Sequence, residues 1–308
     1  MAPERVGLPR VPLLRTHEGT HRAAFTAQDW VFLVTPALIW GCSFLFIAEA
    51  LESFSPALVT AGRIGFGALT LACIPGARRV HVDRHAWIRI AVLGFTWMSL
   101  PFACFSIAEQ WIDSALAGML NAVMPLMTAV VSALLLHRMP KRIQSIGLLI
   151  GFAGAVLIVI PEFDGGSTAV SGIALVLLAV MSYSVSVNLS IPLTQQYGTL
   201  PIIWRTQLAA FVMSAPFAAP GVGSVDFHWT GFVALLLLGV GGTAIAQVFA
   251  ARLIGRVGAT RGSMITYIMP IVSIAVGVVF RDESVAIVSF VGIAIVLLGA
   301  GVASRAEV

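Results

Sequence analysis

The amino-acid sequence predicts an all-α integral membrane protein in which ten transmembrane helices form two inverted-topology repeats of five helices. Three observations lead to this prediction: an extreme composition, a series of apolar segments of spanning length, and a repeat that relates the two halves. Of the 308 residues, 58% are hydrophobic and only 10% are charged, and the mean hydropathy is +0.97. Soluble domains carry about 25% charged residues, so this chain cannot cover a water-facing surface. Its composition suits a lipid bilayer.

Ten apolar segments are each long enough to cross a bilayer, which takes about 20 residues. Turn-forming pairs such as Ser55-Pro56, Pro75-Gly76 and Pro220-Gly221 separate them. No loop between the segments is long enough to hold a soluble domain. The predicted spans are 30–51, 56–75, 86–106, 112–137, 143–160, 169–190, 201–219, 229–251, 258–280 and 285–303.

Charged residues alternate in sign from one loop to the next, which predicts the orientation of the spans. Basic residues mark the N-terminal tail, most of the even-numbered loops and the C-terminus: Arg5, Arg10, Arg15, Arg22, Arg78, Arg79, Arg84, Arg89, Arg138, Lys141, Arg142, Arg252, Arg256, Arg261 and Arg305. Acidic residues mark the other loops: Glu49, Glu52, Glu109, Asp113, Glu162, Asp164 and Asp226. The positive-inside rule then places both termini in the cytoplasm.

Arginine supplies all but one of the 18 basic residues, and alanine and glycine are abundant. This composition favours a bacterial source and therefore a multi-pass protein of the bacterial inner (plasma) membrane. The net charge of +4 does not indicate a nucleic-acid partner, because no nucleic-acid-binding motif accompanies it. The three cysteines form no metal-binding or disulfide pattern, and we expect no cofactor and no metal.

The two halves share proline and glycine positions in one register. Met269-Pro270 lies 145 positions after Met124-Pro125, and the same spacing relates Pro56 to Pro201, Gly94 to Gly239, Gly147 to Gly292, and Gly154 to Gly299. The predicted units are a cytoplasmic tail (1–29), a first repeat (30–160), and a second repeat with a short C-terminal tail (161–308). Because each repeat has five spans, the second must insert upside down, an arrangement typical of transporters with a substrate site between the halves.

Several motifs resemble the EamA type of the drug/metabolite transporter (DMT) superfamily, from Trp30 to the end of the chain. The first span contains Trp40-Gly41-Cys-Ser43, the second opens with Ser55-Pro56, and the fourth contains Asn121-Ala-Val-Met124-Pro125. The chain looks most like the YddG-like amino-acid exporters. Where this family usually has a glutamate after both the fourth and the ninth spans, the sequence has Arg138 and Glu283. The resemblance implies a cavity among spans one to four and six to nine.

Polar and aromatic residues within the spans are the candidates for substrate binding, because polar groups in a bilayer need a reason to be there. Asn121 and Thr266 occupy equivalent positions in the fourth and ninth spans, one turn before a proline. The candidate substrate-binding residues are Trp40, Ser43, Trp97, Asn121, Tyr183, Thr243, Gln247, Thr266 and Tyr267. The candidate hinges are Pro125, Pro270, Gly241 and Gly242. Packing between helices is the alternative role for the polar residues.

Arg63 lies seven residues inside the second span. We expect a structural role for it, either snorkelling outward or pairing with Glu49 or Glu52, and anion binding is the rival role. No Asp or Glu lies near the middle of a span, which predicts transport without proton coupling.

The preferred prediction is a secondary transporter that exports small metabolites, with amino acids, including aromatic ones, as the cargo, by alternating access and as a uniporter. The remaining alternatives are other cargoes (nucleobases, sugars or drugs) and an integral-membrane enzyme that acts on lipids. No catalytic motif supports the enzyme. The expected partners are a small-molecule substrate and the lipid bilayer, without nucleic acid, and the expected state is a monomer or weak oligomer.

The predicted topology can be tested with single cysteines in a cysteine-free background. Cysteines at Ala77 and Ser145 should react only with reagent on the cytoplasmic side, and one at Gly165 only with reagent on the outer side. Reaction of all three from the same side would contradict the ten-span inverted repeat.

Overall fold

The protein is described by a computed structural model over residues 24–136, 142–161 and 166–304. Within those ranges every regular element is a helix, which confirms the all-helical class. Part of the sequence-based charge pattern lies outside the described residues: Arg5, Arg10, Arg15, Arg22, Arg138, Lys141, Glu162, Asp164 and Arg305. The same applies to Gly165 and to most of the predicted N-terminal tail.

Ten long helices run through the described ranges, numbered here in chain order. They are α1 (Ala27–Leu51), α2 (Pro56–Ala72), α3 (Arg84–Ala108), α4 (Ser114–Leu135), α5 (Arg142–Val159), α6 (Gly166–Tyr197), α7 (Thr199–Ala218), α8 (Trp229–Val257), α9 (Ser263–Arg281) and α10 (Ile287–Ser304). Among the described residues, all except α2, α7 and α10 are long and apolar enough to cross a membrane. The protein is thus a multi-pass membrane protein, and the full count of ten spans and their inverted order stay predictions.

Helices α1, α6 and α8 extend further than the apolar segments that predicted them. α6 ends at Tyr197 rather than 190, and α8 ends at Val257 rather than 251. α1 begins at Ala27, three residues before the predicted first span. Thr26 and Asp29 form a capping box there, and Arg256 pairs with the buried Asp29 carboxylate at 2.9 Å. A helix can continue past its apolar stretch when caps or ion pairs satisfy the unpaired backbone and side-chain polar groups at its end.

Four helices depart from regular α geometry, three near their middles and α9 at its start. α3 has a π-helical segment at Phe95–Ser99, and α8 has one at Leu238–Ile245. α4 breaks after Asn121 and resumes at Met124. α9 opens with a 3₁₀ segment at Ser263–Tyr267 and becomes α-helical at Met269. The two pairs of irregular segments fall at equivalent positions of the proposed repeat.

α1 lies against α8 and α9, α2 against α7 and α8, α3 against α6, and α4 against both α6 and α9. α5 and α10 form a pair of their own beside this group. Their contact is lined by glycines: a Cβ at Gly154 would lie 2.6 Å from the Gly292 carbonyl oxygen and from the Val296 nitrogen. Such close backbone approach is what small residues permit between membrane helices.

The α5–α10 contact predicts that Gly154→Ala destabilises the protein, although alanine is the better helix former by about 1 kcal/mol. We expect a lower thermal unfolding midpoint in detergent. Gly301→Ala on α10 is the matched control, since a Cβ at Gly301 meets no atom within 4 Å, and its midpoint should stay equal or rise. An unchanged midpoint for Gly154→Ala would contradict the packing described.

Candidate functional site

A central cavity lies beside the irregular segments and contains about 520 Å³ of space free of protein atoms. Seven helices contribute to its wall, and α5, α7 and α10 contribute none of the lining residues. The expectation that α7 would also line it is therefore wrong for this cavity. The lining residues are Trp40, Ser43, Phe44, Ile47, Arg63, Trp97, Phe102, Phe105, Asn121, Met124, Tyr183, Gln247, Thr266 and Met269.

The π-helical segments leave carbonyl groups without their usual helical partner, and side chains from other helices satisfy them. Trp40 Nε1 donates to the Gly242 carbonyl at 2.8 Å in the π segment of α8. Ser182 Oγ donates to the Thr96 carbonyl at 2.6 Å in the π segment of α3. The irregular backbone therefore fixes Trp40 in the cavity wall. It also ties α3 to α6 behind that wall.

The break in α4 and the start of α9 meet at the cavity. Asn121 is the last residue before the break, and its Nδ2 lies 3.6 Å from the sulfur of Met269 on α9. Pro125 and Pro270 both follow immediately after their helical segments begin, at Met124 and Met269. A proline removes the hydrogen bond to the carbonyl four residues earlier, so it suits the start of a helical segment.

Two buried polar atoms in the cavity wall lack a hydrogen-bond partner. They are Oδ1 of Asn121 and Nε2 of Gln247, on residues that are 3% and 2% exposed. Buried polar atoms in proteins are nearly always paired, and each orphan calls for an explanation. One unpaired acceptor and one unpaired donor on residues that line the same cavity match a ligand that carries both kinds of group.

Aromatic side chains supply most of the apolar wall. Tyr183 stacks on Phe105 with ring centroids 6.0 Å apart and meets Phe102 edge-on at 6.5 Å. Trp40 and Trp97 complete this surface. Cavities with apolar, aromatic walls and a few polar groups are typical sites for small organic ligands.

Arg63 is the one charged side chain in the cavity wall among the described residues. Its Nε donates to Thr243 Oγ1 at 3.3 Å, and its guanidinium carbon lies 3.8 Å from the centre of the Phe102 ring. The expected pairing with Glu49 or Glu52 is wrong, because both carboxylates bind Arg281 instead, at 2.6 Å and 3.0 Å.

The structure brings seven of the nine predicted binding residues to the cavity: Trp40, Ser43, Trp97, Asn121, Tyr183, Gln247 and Thr266. Thr243 and Tyr267 are not among the lining residues. Thr243 Oγ1 donates to the Leu238 carbonyl at 2.9 Å, five residues earlier. The π geometry therefore turns Thr243 away from the face of Gln247, although a regular helix would align them. Of the predicted hinges, Gly241 and Gly242 lie in that same π segment.

The predicted binding residues did not include seven that line the cavity: Phe44, Ile47, Arg63, Phe102, Phe105, Met124 and Met269. The apolar residues look like ordinary core residues in any membrane span, so no sequence signal separates them. Arg63 did carry a sequence signal, because it is a cation inside a predicted span. The direction in which its side chain points, however, depends on how α2 is rotated about its own axis.

Ionic contacts join helices at the end of the bundle where α1 ends, which we call the distal end (Glu49, Glu52, Ser114 and Arg281). Arg281 binds Glu49 and Glu52, which joins α9 to α1. Glu283 accepts hydrogen bonds from the backbone N–H groups of Ser114 and Ala115, at 3.0 Å and 2.8 Å, and from Ser114 Oγ at 2.7 Å. The negative charge of Glu283 at the start of α4 also interacts favourably with the positive end of the helix dipole.

The opposite end, where α1 begins, is the proximal end (Asp29, Ala77, Arg205 and Arg256). There Arg256 binds Asp29. Arg205 donates to the carbonyls of Ala77 at 3.0 Å, Val80 at 2.6 Å and Pro201 at 3.0 Å. Arg205 thus holds the loop after α2 against α7 and has no part in the cavity wall.

The distal contacts predict that Glu283→Gln makes opening of that end easier, because the amide loses the charge and an acceptor at the start of α4. A cysteine at Ile47, in a cysteine-free background, should then react faster with a hydrophilic thiol reagent added at the distal side. Asp282→Asn is the control, since Asp282 is exposed and asparagine also tolerates its left-handed conformation (φ 52°). Equal labelling rates for Glu283→Gln and the parent would contradict a role of Glu283 in holding the distal end closed.

The sequence is similar to proteins described as membrane transporters. It is 25% identical over 282 residues to the uncharacterized transporter YcxC of Bacillus subtilis, covering 88% of this chain and 90% of that protein. It is 21% identical to an uncharacterized transporter of Archaeoglobus fulgidus (88% and 97% covered) and to the uncharacterized inner membrane transporter YedA of Escherichia coli K12 (84% and 85% covered).

A solved crystal structure shares the fold, with a TM-score of 0.69 at 20% identity over 91% of this chain and 98% of that one. The sequence model of the EamA-like transporter family matches residues 30–160 and again residues 170–305. The two matched ranges together cover most of the chain. The protein therefore belongs to the EamA-like transporter family, whose members are membrane transporters of small molecules.

Proposed function

We propose that the protein exports amino acids, aromatic ones included, across the bacterial inner membrane, with both termini in the cytoplasm, as a YddG-like member of its family. The central cavity supports this proposal. Its aromatic wall suits an apolar side chain, and the unpaired Asn121 Oδ1 and Gln247 Nε2 suit the ammonium and carboxylate groups of an amino acid. The single observation that carries the proposal is this pair of orphan polar atoms of opposite kind in one aromatic cavity.

Alternating access is the proposed mechanism, and the irregular segments are the proposed bending points. π segments, glycines and proline-bounded breaks are the usual places where a helix bends. Pro125 and Pro270 lie beside the cavity in α4 and α9, and Gly241 and Gly242 lie in α8. Bending of α3, α4, α8 and α9 at these segments would open the proximal and distal ends in turn, the mechanism of transporters built from inverted repeats.

The proposed substrate contacts predict that Asn121→Ala and Gln247→Ala each reduce phenylalanine transport roughly tenfold, because each removes a hydrogen bond of about 1–3 kcal/mol. The measurement is counterflow of labelled phenylalanine in proteoliposomes with equal amounts of folded protein. Asn188→Ala is the matched control. Asn188 is equally buried, but its amide accepts from Ser132 Oγ and donates to the Ser184 carbonyl.

We expect Asn188→Ala to lower the thermal unfolding midpoint and to leave the apparent KM for phenylalanine unchanged. If Asn121→Ala and Gln247→Ala behave like this control, the two residues pack helices together and do not bind substrate.

We propose that the substrate's own gradient drives transport (uniport), because the described wall of the cavity contains neither Asp nor Glu to carry a coupling proton. Counterflow should therefore proceed at the same rate with no pH difference and no membrane potential as with either one imposed. Accumulation of phenylalanine that requires an imposed proton gradient and collapses with a protonophore would contradict uniport. Glu109, whose two carboxylate oxygens are buried without a hydrogen-bond partner at the end of α3, would then be the first residue to replace.

A further inference from the structure

The guanidinium of Arg63 is held on one edge and one face only. Nε donates to Thr243 Oγ1, and the Phe102 ring covers one face. Thr243 Oγ1 uses its own hydrogen on the Leu238 carbonyl, so its lone pairs are free to accept from Arg63. These contacts fix the direction of the side chain. They leave the two terminal nitrogens, Nη1 and Nη2, on the outer edge of the group.

Neither terminal nitrogen has a hydrogen-bond partner among the described residues. Neither nitrogen is fully enclosed by protein atoms, and Arg63 lines the cavity. The two nitrogens therefore face the cavity space, although the residue as a whole is only 3% exposed. Two parallel N–H donors on a planar group match the two oxygens of a carboxylate.

The surroundings of Arg63 supply no bound counter-ion. Glu49 and Glu52 bind Arg281, and Glu283 binds the start of α4. Glu109 is the remaining buried carboxylate nearby, but no hydrogen bond reaches either of its oxygens. A cation inside a membrane protein is costly unless it is paired. The open position is the one in front of Nη1 and Nη2, inside the cavity.

We infer that Arg63 binds a carboxylate of the substrate, and that the substrates are carboxylates with an apolar or aromatic body. The carboxylate makes the stronger, charge-assisted contact, and an ammonium group adds the weaker contact to Asn121. The inference rests on the proposed function in that it assigns the substrate class of the same cavity. Its rival is a purely structural arginine that anchors α2 to Phe102 and Thr243.

The test uses three compounds that differ in one group each. L-Phenylalanine has both charged groups, 3-phenylpropionate lacks the ammonium, and phenethylamine lacks the carboxylate. We expect 3-phenylpropionate to inhibit counterflow of labelled phenylalanine up to about tenfold less well than phenylalanine, because it lacks the Asn121 contact, and phenethylamine at least tenfold less well than the acid, because it lacks the ion-paired contact. Equal inhibition by the amine and the acid would overturn the inference. This arm needs no substitution.

Arg63→Gln should remove the preference for the acid over the amine, and Arg63→Lys should keep a weaker preference, because lysine cannot bind two oxygens in parallel. Arg205→Gln is the matched control, since it also removes a buried arginine, one whose guanidinium is bound to three carbonyls away from the cavity. It should lower stability and leave the acid-to-amine ratio unchanged. An Arg63→Gln protein that retains the wild-type ratio would show that the arginine is structural.

Direct binding separates failure of this inference from failure of the proposed function. Purified wild-type protein in detergent is titrated with 3-phenylpropionate and with phenethylamine, and binding is followed by the fluorescence of Trp40 and Trp97 or by the thermal shift. Binding of the acid in preference to the amine, with no phenylalanine transport, would overturn the amino-acid proposal and support Arg63 as the carboxylate site. Phenylalanine transport with no preference for the acid would do the reverse.

Discussion

A hydrocarbon environment offers no partner for a backbone or side-chain polar group, and the structure is organised around that constraint. Regular helices satisfy their own backbone. The irregular segments free carbonyls from their usual helical partners, and side chains from other helices bind some of them. Trp40 on Gly242 and Ser182 on Thr96 are the clearest examples. Two of the buried polar atoms left without a partner, Asn121 Oδ1 and Gln247 Nε2, belong to cavity-lining residues, and a polar ligand could satisfy them there.

The two ends of the bundle are held by different interactions. At the distal end, charged side chains of the α9–α10 connection reach across to α1 and α4 through Arg281 and Glu283. At the proximal end, Asp29 and Arg256 join α1 to α8. Each set crosses between the two matched halves of the chain. In the proposed alternating-access mechanism, one set breaks while the other holds, so that the cavity opens to one side at a time.

Composition and the length of the apolar segments were enough to predict the helical class and the membrane environment. Both depend on the amino-acid content of the chain and not on which residues contact each other. The shared register of Pro125 with Pro270 located the irregular parts of α4 and α9, and Asn121 and Thr266 beside them do line the cavity. Regular α-helical spacing would place Thr243 on the same face of α8 as Gln247. Thr243 lies in the π segment, however, which shifts its side chain around the helix by about one residue position. Helical spacing also could not show that Arg281 takes the carboxylates expected for Arg63, since that partnership joins α1 to α9 across more than 200 residues.

The central claim is that substrate occupies the cavity between the two halves. Protection of a cysteine at Ser43 tests it most directly, because Ser43 lies in the wall, its hydroxyl donates only to the Ile39 carbonyl of its own helix, and serine-to-cysteine is a small change. In a background without Cys42, Cys73 and Cys104, saturating L-phenylalanine or 3-phenylpropionate should slow labelling of this cysteine, with a half-maximal concentration equal to that for transport. Unchanged labelling at concentrations that saturate transport would show that the substrate binds elsewhere and would contradict the account.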